Sequence, residues 1–174
     1  HLKDKLLTIR PSPVIDQFKK NEPFLYIGLD DQSFDVLKNR VGAKKASEIY
    51  LRFLRMFALT VYNIDLENCN ELRELLESLK SPEPVFVESN LIKIRRIKQL
   101  ISSETGSKFP KNSSEQLVEV ITSIYKSWIS PTQRILRDVS GRKSDELIPV
   151  ILQEMHSGLE ENPVEYFKVK NFDD

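Results

Sequence analysis

One cysteine, Cys69, stands in 174 residues, so no internal disulfide is open to the chain. A reducing compartment, cytoplasm or an organelle matrix, is the expected setting, with Cys69 read as a small, partly buried side chain. No uninterrupted apolar run approaches the ~20 residues of a membrane span, and no charged-then-apolar signal segment opens the sequence. The chain therefore reads as soluble, without a membrane partner. Neither sign of charge dominates, because 26 basic side chains cancel 26 acidic ones, and no overall field draws the protein to nucleic acid or an anionic surface. Five glycines are few for a protein that wraps backbone around phosphates, since close approach and positive φ both favour glycine. A clustered set of metal ligands, a Ser-His-Asp set and a P-loop are all missing as well, so no catalytic residue and no metal site are assigned.

What is there is helical. A length of 174 residues suits one domain with a real core. Phe109 to Trp128 organises it: Asn112 or Ser113 can cap a helix, with Glu115 or Gln116 about where a capping box wants its acid or amide. Leu117, Val120, Ile121, Ile124, Tyr125 and Trp128 then recur at helical spacing as a core face. A second long helix spans Ala43 to Asn63, with Ala46, Ile49, Tyr50, Phe53, Leu54, Phe57 and Val61 inward and Arg52 and Arg55 on solvated flanks. A shorter helix covers Cys69–Leu79, closed by the breaker run Ser81–Pro84. Glu88–Ser103 forms another, with Leu91, Ile94, Ile97, Leu100 and Ile101 inside. Its basic residues, Lys93, Arg95, Arg96 and Lys98, lack interleaved aromatics and make a poor nucleic-acid patch. Short connections suit antiparallel packing of these helices.

Strands flank the helical section. Leu6 to Ile9 is a short β-tolerant run ended by Arg10 and a Pro-Ser-Pro stop. A charged residue at a strand's carboxyl end is commonly just solvated, although open sheets also place ligand groups there. Phe24 to Asp31 reads as strand, then turn at Gly28, then a cap from Asp30 or Asp31 for a helix over Ser33–Arg40. Adjacent carboxylates at a helix start cap more often than they catalyse. Ser130-Pro131 opens a short amphipathic segment ending at Arg137, which reads equally well as a salt-bridging or a functional arginine. Leu147 to Met155 reads as a buried strand, and Val164–Val169 as a further strand with period-two alternation.

Several stretches carry a family resemblance. The run from Thr105-Gly106 through Phe109-Pro110, Glu115-Gln116-Leu117 and Ser127-Trp128 is similar to the T-G-x-x-F-P lead-in and following helix of the ATP-binding domain of pyruvate phosphate dikinase and its kin, phosphoenolpyruvate synthase. The segment A-S-E-I-Y-L-R-F-L-R-M-F from Ala46 resembles the family's A-Y-D-S-Y-R-R-F-I-Q-M-F at the same spacing. Leu6 to Pro13 resembles L-L-V-S-V-R-S-G-A, in which the arginine contacts ATP phosphates.

By that resemblance Arg10 is a nucleotide-binding residue, Gln153 and Met155 fall on letters of the strand that runs into the adenine hinge, and Arg137 matches an arginine of P-R-A-I-x-Y-R. The implied fold is α+β and predominantly helical, an antiparallel helical subdomain (43–138) inserted between strands of a partial ATP-grasp-like sheet (1–42 and 139–174). The implied cofactors are ATP and Mg2+, with protein partners or further segments of the same protein. The departures bear on function. Pro11 replaces a serine, the family's glycine-rich turn corresponds to Asp16–Glu22 without glycine, and the tail after Met155 lacks the family's glycines. Counterparts of the family's phosphate lysine and magnesium-binding acids are not found in the 174 residues, and His1 and His156 are not its carrier histidine. This chain alone is therefore expected not to transfer phosphoryl groups. Two readings stay open: a partial ATP-binding domain that works when missing segments are supplied, or a non-catalytic structural or interaction module.

Overall fold

The computed structural model describes residues 5–12, 23–80, 87–143 and 146–155. The glycine-poor loop Asp16–Glu22, the breaker run Ser81–Pro84, the strand read at Val164–Val169, and His1 and His156 lie outside the described residues. The first elements among the described residues are two strands, β1 (Leu7–Pro11) and β2 (Phe24–Ile27). Among the described residues six α-helices follow: α1 (Asp31–Val41), α2 (Ala43–Met56), α3 (Asn70–Glu77), α4 (Val87–Thr105), α5 (Ser113–Trp128) and α6 (Pro131–Val139). β3 (Val150–Glu154) then returns to the sheet. The strand order is β2-β1-β3 with both pairings antiparallel, so the molecule is α+β and mainly helical.

Local chemistry sets the boundaries. Asp30 closes a capping box on α1, its carboxylate accepting from Gln32 and Ser33 N–H while the Ser33 hydroxyl accepts from Asp30 N–H. Gly42, at φ +81°, ends α1 through its N–H to the Lys38 carbonyl, and α2 starts at the next residue. Asn112 caps α5 through Glu115 N–H, and Glu115 reaches back to Lys111 N–H. Ser130 caps α6, with Pro131 at its first position.

The helix expected from Ala43 to Asn63 is α2 followed by one wide π turn, Phe57–Val61. That widening turns Phe57, Ala58 and Val61 all into the core. Around it an aromatic run packs ring on ring: Phe34 to Tyr50 at 5.4 Å, Phe53 to Phe57 at 4.8 Å and Phe57 to Phe109 at 5.3 Å. Ile94, Ile97 and Ile101 of α4 and Val120, Ile124 and Trp128 of α5 complete a core that is continuous with Leu7, Ile9, Phe24 and Ile27 of the sheet.

One expectation is corrected. Leu147–Met155 does contain a strand, but not a buried one: Leu147 is 75% exposed, Ile151 42% and Leu152 43%. The helices cover one face of the sheet over β1 and β2, and β3 sits at its edge beyond that cover. Ile148, just before the strand, enters the core, and Val150 packs half-buried against it.

Candidate functional site on the open sheet face

Alternation along β1 buries Leu7 and Ile9 and leaves Thr8 half-buried and Arg10 exposed. The register pairs Thr8 with Gln153 and Arg10 with Ile151. Residues directly opposite in an antiparallel pair share a face, so Thr8, Arg10, Ile151 and Gln153 lie together on the uncovered side. Leu25, exposed between buried Phe24 and half-buried Tyr26 of β2, joins them. Met155, one step past β3, donates its N–H to the Leu6 carbonyl at 2.8 Å, and its sulfur accepts the Tyr26 N–H at 3.2 Å. That reach is possible because Tyr26 holds φ +62° at the irregular β1–β2 register.

The fold thus gathers three of the four sequence-assigned nucleotide residues, Arg10, Gln153 and Met155, around one face. Arg137 is elsewhere: it is fully buried, its guanidinium 4.3 Å from the Trp128 ring centre, with Nη1 donating to the Trp128 carbonyl at 2.7 Å. The open face offers a planar five-donor cation with no ion pair among the described residues, a donor and acceptor amide, a hydroxyl and apolar walls from Leu25 and Ile151. Such a set can receive an anionic ligand with a flat polar part. No group of three His, Cys, Asp or Glu able to hold a metal occurs among the described residues.

The adjacent carboxylates at the start of α1 divide their work. Asp30 caps the helix, while Asp31 accepts from Lys98 Nζ at 3.0 Å and from the Tyr50 hydroxyl at 3.2 Å. Lys98 also lies 4.7 Å over the Tyr50 ring. The Lys98 hydrogen bond holds the Asp31 carboxyl below the usual range. Burial, then the charge of Asp31, pushes the Tyr50 hydroxyl far above it. These groups join α1, α2 and α4.

Residue-type reasoning missed Gln116. Expected at a cap, it is fully buried, its Oε1 accepting the Gly28 N–H at 2.7 Å and its Nε2 donating to the Leu29 carbonyl at 3.1 Å. The signal was its place four residues before Val120, on the ridge that continues through Ile124 to Trp128. Gly28 must be glycine there: its φ is +103°, and a Cβ would stand 2.7 Å from the Lys5 carbonyl oxygen. Further along α5, the Tyr125 hydroxyl donates to the Ile148 carbonyl at 3.1 Å and Trp128 Nε1 to the Glu146 carbonyl at 2.6 Å. One helix therefore holds the chain both where it leaves the sheet and where it returns.

No protein-family model matches the chain. Curated relatives do. Pyruvate, phosphate dikinase from Rhizobium meliloti (strain 1021) is 29% identical over 141 residues, 78% of this chain and 16% of that protein. The chloroplastic enzyme of Mesembryanthemum crystallinum is 28% identical over 150 residues, 81% of this chain and 16% of its own length. That of Flaveria trinervia is 26% identical over 144 residues, 79% of this chain and 15% of its own. The chain spans about a sixth of the length of these relatives. Over that stretch it is related to the pyruvate phosphate dikinases.

Proposed function

We propose that this dikinase-related domain forms one wall of an ATP site, closed by segments that the resemblance puts outside the 174 residues. Arg10 meets phosphate charge, and Gln153 and Met155 stand at the adenine end. Mg2+ arrives with the nucleotide and is held from outside this face. On this reading β1, β2 and β3 are parts of an ATP-grasp sheet, with 43–138 as its helical insertion between 1–42 and 139–174. The observation that supports it is the sharing of one uncovered sheet face by Gln153 and an Arg10 that carries no ion pair among the described residues. Arg137 is left out of the site because its guanidinium is enclosed. Phosphoryl transfer is not expected of the chain alone, since positioning and metal neutralisation need further parts. The test is thermal unfolding with Mg-ATP: occupancy at a hundred times Kd adds ~2.7 kcal/mol, and Arg10→Ala abolishes the shift. No shift in the parent chain sinks the reading.

A second reading, a non-catalytic interaction module, is favoured by a different observation. Seven of the eleven exposed large apolar side chains among the described residues fall between Ile129 and Leu152, and a concentration of this kind marks contact surfaces. A monodisperse monomer whose solubility is unchanged by Ile135→Ser and Val139→Ser counts against it. No helix among the described residues is long and apolar enough to cross a membrane, and we place both readings inside the cell.

A further inference from the structure

β3 is attached to the molecule with little apolar burial. Four of its five residues are exposed and the fifth is half-buried, so apolar burial contributes little to holding it. Hydrogen bonds do the holding. Its whole length pairs with β1, framed by Ser12 N–H on the Pro149 carbonyl and Met155 N–H on the Leu6 carbonyl, each at 2.8 Å. An exposed Lys5–Glu154 ion pair lies beside it. The lead-in, residues 146–149, is held by the buried Ile148 side chain and, from beneath, by Trp128 on the Glu146 carbonyl and Tyr125 on the Ile148 carbonyl.

Hydrogen bonds at an exposed strand are readily exchanged for bonds to water, whereas rings and branched chains in the core are not. Elements with few buried apolar contacts open at lower free energy than the core. We infer that β3 and its lead-in form a strap that opens as a unit while α2, α4 and α5 stay folded, with Tyr125 and Trp128 as its latch. Opening carries Gln153 and Met155 away from Arg10, so the open face has two arrangements. The inference stands on attachment alone and is independent of any nucleotide.

Native-state hydrogen exchange on the full chain tests it, with Ser12 and Met155 N–H as strap reporters and Leu54 and Ile97 N–H as core reporters. The strap pair exchanges together, roughly a hundredfold or more faster than the core pair. Tyr125→Phe speeds the strap pair about tenfold, as loss of one partly buried hydrogen bond should, and leaves the core pair unchanged. Strap amides that exchange at the core rate in the parent chain overturn the inference. So does a Tyr125→Phe variant in which all four rates rise by one factor.

Discussion

α2 and β3 are both rich in apolar letters, yet one disappears into the core and the other lies on the surface. Phe53 of α2 is 1% exposed and meets the rings of Tyr50, Phe57 and Phe109. Ile151 of β3 is 42% exposed and meets Arg10 across the ladder. An apolar helix face finds cover because other helices of the same chain present matching stripes. A strand has two faces and an edge, and here the helices reach only one face, over β1 and β2. Apolar composition alone thus marks surface that wants covering, not surface that is covered.

The sharpest way to break the comparison is to truncate both. Phe53→Ala should cost about 3–5 kcal/mol, while Ile151→Ala stays within about 0.5 kcal/mol. Equal losses in urea unfolding would mean that β3 is covered after all. Next is the clamp between the two regions. Gln116→Leu keeps shape and removes both partners of Gly28 N–H and Leu29 C=O, so about 2–3 kcal/mol should be lost. A near-neutral result would show that sheet and helices are tied by apolar packing alone. A smaller effect belongs to the turn itself: Asp30→Ala removes the capping box and should cost about 1 kcal/mol.

The smallest effect at neutral pH is a titration. Burial, and then the Glu119 charge, pushes the Tyr62 hydroxyl up to about 12 from its ordinary 10.0. A raised folded value favours the neutral form, so this contribution is fully present below pH 10 and is lost as pH rises from there through about 12. Tyr62→Phe should therefore leave stability at pH 7 nearly unchanged and flatten its alkaline decline, read by unfolding at stepped pH. An unchanged alkaline slope would assign that decline to other groups, Tyr50 first among them because burial raises it further.

Much of this was legible in residue order. The period of Ile94, Ile97 and Ile101, the Asn112 cap and the Asp30 cap follow from side-chain geometry within a few residues, where sequence separation and spatial separation coincide. The likeness of the α2 and α5 lettering to the dikinases agrees with the relatives that the chain matches. Arg10, Gln153 and Met155 were each singled out, but not that they share a face, because this depends on a register between residues more than a hundred positions apart. Of the two residues open for the capping box, Glu115 takes the place, while the inward role of Gln116 was not legible because its partners, Gly28 and Leu29, are 88 and 87 residues away.

By itself the sequence determined the helices, their inward stripes, their caps and the kinship, since each rests on local periodicity or on lettering. Tertiary structure alone decided which apolar elements are covered and where polar side chains find backbone. It set the Arg137 guanidinium on Trp128, and it left β3 bonded but uncovered. The physical reason is range: a cap or a stripe is set within one or two turns, whereas burial of a strand or satisfaction of a buried amide is settled only by what the remainder of the chain brings against it.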